Sequence, residues 1–192
     1  MVCDMSTIST PSSTLTGTYT IDPSHTRIGF MVRHAMVTKV RGAFNTVDGS
    51  GHFDAEQPEN SNLALTIDVA SIDTRSEDRD GHLRSNDFLD IENHPEITFT
   101  STEVRRVDAT TYNVTGDLTI KGTTKPVSFD LEVAGPAKDP FGNVRLGLEG
   151  TTVINRKDWG VSWNAPLETG GVLVGEKVTL EFEVSAISSE TA

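Results

Sequence analysis

The stretch TYNVTGDLTI, residues 111–120, decides the fold. Four hydrophobic residues share one parity, and the polar residues between them take the other: Tyr112, Val114, Leu118 and Ile120 against Asn113, Thr115, Asp117 and Thr119. Successive side chains of an extended chain point to opposite faces, so alternation with a period of two is typical of a strand. The stretch therefore predicts a β-strand with one hydrophobic and one solvent-facing side.

The same alternation recurs along the chain, for example in VSFDLEV (residues 127–133) and VTLEFEVSA (residues 178–186). It predicts eight or nine strands, at residues 17–22, 26–34, 40–54, 62–72, 97–108, 112–121, 125–137, 144–155 and 176–187. Short segments rich in turn-forming residues join them, at 48–49, 121–124, 139–143 and 170–171. Connections this short favour antiparallel neighbours, and a closed barrel explains them better than a sandwich because closure removes unpaired edges.

One segment, RDGHLRSNDFLDIENHPEITF at residues 79–99, interrupts this pattern. Residues 75–89 predict a short helix with Ser76 as N-cap and acidic residues in its first turn. Hydrophobic residues of the segment are expected to plug one end of the barrel: Leu83, Phe88 and Leu89. For the strands as a whole, a β-sandwich remains the alternative to a closed barrel.

Composition limits the function classes. The 28 acidic and 16 basic residues give a formal net charge of -12, which repels nucleic acid and, at long range, anionic membrane surfaces. No segment reaches membrane-spanning length. The start of the chain has neither a basic region nor a hydrophobic run, so we expect a cytoplasmic protein, with export by another route as the alternative.

The predicted domain organisation is simple: a flexible leader at 1–16, one barrel domain at 17–188 and a disordered tail at 189–192. Cys3 is the one cysteine, so no internal disulfide can form.

Catalytic and metal sites have weak signals. His82, Asp87, Asp90 and His94 include metal-ligand types, but the spacings typical of metal motifs are missing, and the aspartates are predicted to cap turns. There is no Gly-x-Ser-x-Gly motif, no plausible cysteine nucleophile and no phosphate-binding loop. We predict no catalytic residue, no metal and no cofactor.

A barrel of about eight strands is either filled by its own side chains or holds one ligand, and the alternation alone leaves both open. The residues expected to point inward are almost all hydrophobic: Ile28, Phe30, Val32, Phe44, Leu63, Leu65, Ile67, Ile97, Phe99, Leu118, Phe129, Leu131, Leu146, Leu148, Leu180 and Phe182. Glycines on several strands indicate either bends or space.

Several segments resemble the YceI-like family. In residues 19–44 the matching positions are Ile21, Asp22, His25, Phe30, Val32, His34, Val40, Gly42 and Phe44. Residues 82–101, HLRSNDFLDIENHPEITFTS, are similar to its His-Leu-x-Ser-x-Asp-Phe-x-Asp signature and the strand after it. Residues 116–122, 125–127 and 155–160 resemble later landmarks of the family.

The resemblance implies an all-β fold, an extended lipocalin-like antiparallel β-barrel of about eight strands with one short helix, often dimeric. It also implies an apolar channel for an isoprenoid or other long-chain amphiphilic lipid. The lipid-binding residues expected on this basis are Ile28, Phe30, Val32, Phe44, Leu65, Ile67, Phe99, Leu118, Phe129, Leu131, Leu148 and Phe182. A polar head group is expected near Arg33, His34, His82 and Arg84 at the channel mouth.

The function predicted first is carriage or sequestration of such a lipid by a protein that is not an enzyme. One alternative is an enzyme that acts on a quinone or polyprenyl substrate in the same cavity, with His25, His34 or His82 as acid or base. Another is a packed barrel that serves as an interaction module and exposes a hydrophobic patch.

Overall fold

A computed structural model of the chain describes residues 15–190. These residues form eleven strands and one α-helix, α1 at Glu77–Arg84. The strands are β1 Gly17–Ile21, β2 Arg27–His34, β3 Thr38–Phe44, β4 Val47–Phe53, β5 Asn62–Asp68, β6 Ile72–Asp73, β7 Glu96–Arg106, β8 Thr111–Ile120, β9 Thr123–Lys138, β10 Val144–Asn155 and β11 Val174–Ser188. Residues 1–14 of the predicted leader, and residues 191–192 of the predicted tail, lie outside the described residues.

Eight strands close a ring in the order β1, β4, β5, β7, β8, β9, β10 and β11, which pairs back to β1. Every pairing is antiparallel, so the predicted closed barrel is confirmed. The C-terminal part of β11 pairs with β1, and its N-terminal part pairs with β2. From there β2, β3 and β6 extend the wall beside the ring.

Two predicted strands are each divided in the structure. The segment 40–54 breaks between β3 and β4, because the N–H groups of Asn45 and Thr46 bond to the carbonyl and hydroxyl oxygens of Ser71 instead of joining the ladder. Residues 62–72 likewise divide at a short 3-10 turn, Val69–Ser71. The single-strand prediction was wrong at both places.

The turn predicted at residues 48–49 was also wrong, since both residues lie inside β4. Gly49 pairs with Leu65 of β5, and a Cβ at this position would lie 2.7 Å from the carbonyl oxygen of Ala64. The glycine therefore allows two strands to approach closely and does not form a turn. The turns predicted at 139–143 and 170–171 are confirmed, and the one predicted at 121–124 is confined to Lys121 and Gly122, because Thr123 and Thr124 already belong to β9.

The predicted helix forms, but it ends at Arg84 and not near Leu89. Ser76 caps its N-terminus by accepting a bond from the N–H of Arg79. The Ser85 hydroxyl donates to the carbonyl of His82, which ends the helix there. Within residues 15–190, no helix has the length and hydrophobicity needed to cross a membrane.

The barrel has two distinct ends. The helix end carries α1, the β2–β3 hairpin, the β8–β9 turn and the turn Arg156–Trp159 after β10; Lys121 Nζ in the β8–β9 turn donates to the carbonyl of Asn86 after α1. The far end carries the β7–β8 and β9–β10 hairpins. Leu15 and Thr16, assigned to the leader by sequence, contact this far end through the Tyr19 hydroxyl and the Ala55 N–H.

At the far end, one arginine links two aspartates. Arg145 Nη1 lies 2.7 Å from Asp22 Oδ2, and its Nε lies 2.8 Å from Asp139 Oδ2. Hydrogen bonds from Ser24 and Arg145 hold the pKa of Asp22 well below its usual range, and bonds from Asn143 and Arg145 do the same for the pKa of Asp139. The network joins the start of β10 to the β1–β2 connection.

Candidate functional site: an apolar cavity

A cavity occupies the barrel interior toward the helix end, with about 200 Å³ in which the centre of a water molecule could lie. Apart from Gly29, Thr152 and Arg156, every described residue that lines it is hydrophobic, and its wall exposes almost no polar surface. Apolar cavities of roughly this size stay dry and accept hydrocarbon. The interior is therefore not filled by its own side chains.

All twelve residues predicted to bind lipid line this cavity. They come from β2, β3, β5, β7, β8, β9, β10 and β11, so the alternation did identify the inner face. They are Ile28, Phe30, Val32, Phe44, Leu65, Ile67, Phe99, Leu118, Phe129, Leu131, Leu148 and Phe182. Their contact with a lipid remains a prediction.

Phenylalanine rings occupy part of the interior. The ring centroids of Phe99 and Phe129 are 5.4 Å apart, and those of Phe129 and Phe182 are 4.9 Å apart. Gly116 makes room for this group, because a Cβ there would lie 2.4 Å from the ring of Phe99. The sequence left two explanations for such a glycine, a bend or empty space. At this position the glycine instead makes room for an aromatic ring.

A second cavity, of about 80 Å³ by the same measure, lies toward the far end. Four residues line both cavities and so stand between them: Ile21, Leu63, Leu131 and Leu148. The interior thus holds two adjoining cavities along the barrel, with these four side chains at their junction.

The predicted plug lies at the helix end of the larger cavity. Leu83, Phe88 and Leu89 all line it. The ring of Phe88 is buried and packs at 5.2 Å from Trp163, while His82 lies edge-on to both rings at 5.0 and 4.7 Å. The segment 79–99 therefore closes the helix end of the cavity with hydrophobic side chains.

Sequence reasoning missed the contribution of the turn after β10. Arg156 is buried, and its guanidinium donates to three carbonyls, of Gly175 (2.8 Å), Val161 (2.7 Å) and Val174 (3.3 Å). Burial lowers the pKa of Arg156. Trp159 is also buried and donates through Nε1 to the carbonyl of Leu118 at 2.9 Å.

These bonds fasten the segment after β10 over the cavity, so Arg156 and Trp159 form part of its wall. The motif at residues 155–160 was the available signal. Its resemblance to a family landmark was visible in the sequence, but its position at the cavity was not.

None of the four residues predicted to meet a head group lines the cavity. Arg33 is exposed, and His34 is half-buried opposite Val174. His82 Nε2 lies 2.8 Å from Asp87 Oδ2, and Arg84 donates to the backbone carbonyls of Ala70 and Ile72. All four lie toward the helix end, and their head-group role stays a prediction.

The histidines of the enzyme alternative are also absent from the wall of the larger cavity. His25 lies toward the far end, where its Nδ1 is 2.8 Å from Asp22 Oδ2. Neither it nor His34 or His82 lines the larger cavity. Across residues 15–190, no three His, Cys, Asp or Glu side chains are placed to hold a metal ion.

A closed antiparallel barrel around an apolar cavity defines the class of lipocalin-like barrels. The chain belongs to the YceI-like domain family, whose model matches residues 19–186. It is 43% identical over 150 residues to a UPF0312 protein of Photorhabdus laumondii, covering 77% of this chain and 78% of that protein. A UPF0312 protein of Staphylococcus epidermidis is 39% identical over 169 residues, or 88% of this chain and 95% of the relative.

Solved structures share the fold. Burkholderia cenocepacia BcnA superposes with a TM-score of 0.76 at 25% identity, over 86% of this chain and 98% of BcnA. The Campylobacter jejuni YceI protein gives 0.70 at 29% identity, over 82% and 90%. A polyisoprenoid binding domain from Saccharophagus degradans gives 0.66 at 15% identity, over 88% and 98%.

Proposed function

We propose that the protein holds a long-chain, isoprenoid-like amphiphile in its larger cavity and carries or sequesters that lipid without changing it chemically. The observation that carries the proposal is the wall of the cavity, which is almost entirely hydrophobic and exposes almost no polar surface. Such a wall selects for hydrocarbon, since the Arg156 guanidinium in it already donates to three backbone carbonyls.

The energetics follow from the wall. Burial of one methylene group contributes about 0.8 kcal/mol, so affinity comes from the length of the tail. A polar head group in this cavity would lose its bonds to water without replacing them, which is unfavourable. The head group therefore stays outside, at an end of the barrel.

The combined length of the two cavities sets a limit on the length of the lipid tail. From Leu146 to Ile154, β10 lines first the smaller and then the larger cavity. Eight residue steps of about 3.3 Å, in a strand tilted by roughly 40°, span about 20 Å along the barrel. A tail that enters both cavities passes the side chains at their junction. We expect affinity to rise with chain length and then to level off when about 20 Å is filled.

Carriage is favoured over catalysis by the placement of the histidines. A general acid or base must reach the substrate within hydrogen-bonding distance. His25, His34 and His82 lie outside the cavity wall. The Saccharophagus polyisoprenoid binding domain shares the fold at low identity, so its ligand guides the choice of test compounds and does not decide the ligand of this chain. The cytoplasmic location and the homodimer also remain predictions.

The direct test is mass spectrometry of an organic extract from gently purified protein. A long-chain lipid at near one molecule per chain is the expected result. Titration with polyprenols of increasing length then measures the chain-length dependence. A clean extract together with no binding of any added polyprenol would contradict the proposal.

A pair of variants on β10 tests whether the cavity is the binding site. Thr152 lines the cavity, whereas its neighbour Val153 is 57% exposed on the outer face. Thr152→Phe adds bulk that displaces roughly three to four methylenes of the tail, which costs about 2 to 3 kcal/mol or roughly 30- to 150-fold in Kd. Val153→Phe is the control and should bind as the wild type does. Equal affinity of two folded variants would place the lipid elsewhere.

A further inference from the structure

The tip of the β2–β3 hairpin is hydrophobic and exposed. Met36 is 61% exposed and Val37 is 76% exposed. Val172, 39% exposed, belongs to the adjoining loop, in which a Cβ on Gly171 would lie 2.1 Å from the Met36 sulfur. We call Met36, Val37 and Val172 the apolar tip.

The turn itself is not built from the residues that favour its shape. Ala35 and Met36 have φ values of 49° and 61°, in the left-handed region, and the Val37 N–H closes the turn onto the carbonyl of His34 at 3.1 Å. Asn and Gly favour this two-residue turn, and they would be more soluble there. Ala35 and Met36 are therefore unfavourable for the turn, and the exposure of Met36 and Val37 requires an explanation outside it.

Basic residues flank the apolar tip on the outer face of the hairpin. Arg33 lies directly opposite Lys39, and Arg41 follows two residues later on the same face as Lys39. Like charges at directly opposite positions are destabilising. Among the described residues, no acidic side chain lies within ion-pairing distance of any of the three.

The charge around this hairpin is opposite to that of the whole chain. Residues 27–47 contain four basic residues and no acidic one, although the chain has 28 acids against 16 bases. Arg27, the fourth base, pairs with Glu181. Two acids, Glu168 and Glu176, lie near Val172 in sequence. Glu176 is paired with Lys157, so within the described part of the chain Glu168 is the one of the two without an ion pair. The hairpin is a local cationic surface.

We propose that the apolar tip and its flanking cations dock on a phospholipid bilayer that contains anionic lipids. Charge complementarity supports this occupant, because cations near an anionic surface are attracted while hydrophobic side chains enter the interface. The exposed acids of α1 lie at the same end and oppose this attraction, whereas acids at the far end oppose it less, since exposed charges are screened beyond about 8 Å at physiological salt. A protruding tip also offers no concave surface for a folded partner.

The position of the tip links docking to the cavity. Val174 lines the cavity only two residues after Val172, and Val32 lines it on the strand that leads into the hairpin. Docking would hold the helix end of the barrel against the bilayer, from which a lipid tail could enter. This purpose rests on the proposed function, whereas bilayer binding itself is measured separately from lipid binding in the cavity.

The test is co-sedimentation of the full chain with vesicles of phosphatidylcholine alone and with vesicles of phosphatidylcholine and phosphatidylglycerol in equal parts. The tip variant is Val37→Ser with Lys39→Gln. Its control, Phe141→Ser with Lys138→Gln, makes the same kinds of change at the far end, where Phe141 is 89% exposed on the β9–β10 hairpin.

The wild type and the control should bind the anionic vesicles, and the tip variant should bind at least ten-fold more weakly. Lys39→Gln alone should lose about five-fold on anionic vesicles and nothing on phosphatidylcholine. Binding should weaken as salt rises from roughly 0.05 M to roughly 0.5 M.

Equal binding of the tip variant and the control would overturn the proposal, as would absence of binding by the wild type. If the tip variant differs from the wild type in sedimentation equilibrium without vesicles but binds vesicles equally well, the apolar tip is a contact between copies of the chain. That result would overturn the docking proposal. If vesicle binding fails while polyprenol binding persists, docking is wrong and the proposed function stands.

Discussion

Replacement of Asp80 by alanine should destabilise the helix end of the barrel more than any other single change to an acidic residue of α1. The Asp80 carboxylate is buried, with the residue only 4% exposed. It accepts the backbone N–H of Thr74 at 3.0 and 3.2 Å and also accepts the Thr74 hydroxyl proton. Thr74 is itself 4% exposed, so water cannot replace these bonds.

The magnitude follows from the two donors that lose their acceptor. A hydrogen bond to a charged group contributes about 1.5 to 3 kcal/mol, and a buried donor left without a partner costs a comparable amount. Arg79 continues to donate to the Thr74 hydroxyl and carbonyl oxygens at 2.7 and 2.6 Å, which preserves part of the cluster. We expect Asp80→Ala to lower the free energy of unfolding by about 3 to 4 kcal/mol.

Urea unfolding followed by tryptophan fluorescence measures this change, since Trp159 and Trp163 both lie at the helix end. Asp78→Ala is the control: Asp78 is exposed in the first turn of the same helix, and its loss should cost only about 0.3 to 1 kcal/mol. A cost for Asp80→Ala no larger than that of the control, with unchanged m-value, would refute the reasoning.

Three further changes test other parts of the structure. Gly81→Ala, at a helical position with no atom within 4 Å of the new Cβ, should raise the free energy of unfolding by about 0.5 to 1 kcal/mol in urea; a loss of stability would contradict the open space seen there. Arg145→Gln should remove the stabilisation that its two aspartates give at neutral pH. Because the pKa values of Asp22 and Asp139 are lowered in the fold, this stabilisation is complete above the ordinary pKa of 3.8 and is lost as pH falls through the lowered values. The difference in thermal midpoint between wild type and variant should therefore shrink in acid, and a constant difference would argue against the linkage. Phe88→Asp places a charge among buried rings and should cost at least about 4 kcal/mol by calorimetry, so a midpoint near that of the wild type would show that Phe88 is not packed as described.

Most of the fold was predictable because strand patterning is local. In β8 and β11 the parity of the hydrophobic residues identified the inner face, and all twelve predicted lipid-binding residues line the cavity. The break within 40–54 was not predictable, because it depends on Asn45 and Thr46 bonding to Ser71, a contact between distant parts of the chain that no local pattern encodes. The break within 62–72 has a local cause that sequence reasoning missed, since the Asp68 side chain accepts the N–H of Ala70 and the Asp68 carbonyl accepts the Ser71 hydroxyl.

The candidate site was likewise predictable only in part. Which residues face inward follows from sequence, whereas the packing of their rings and the presence of empty space do not. Phe129 contacts both Phe99 and Phe182 from another strand, and Arg156 bonds to carbonyls of Val161, Val174 and Gly175. These distances exist only once the barrel has closed.

By itself, the sequence determined the antiparallel strands, the capped helix and the inner face, because each follows from a period of two, a capping residue or a turn within a few residues. Only the tertiary structure decided that the barrel closes, that its interior holds two adjoining cavities, that α1 and the turn after β10 cover the larger one, and that the β2–β3 hairpin gathers exposed hydrophobic and basic residues. The volume of a cavity and the composition of a surface depend on how distant strands meet, because packing depends on the shapes of all neighbours at once.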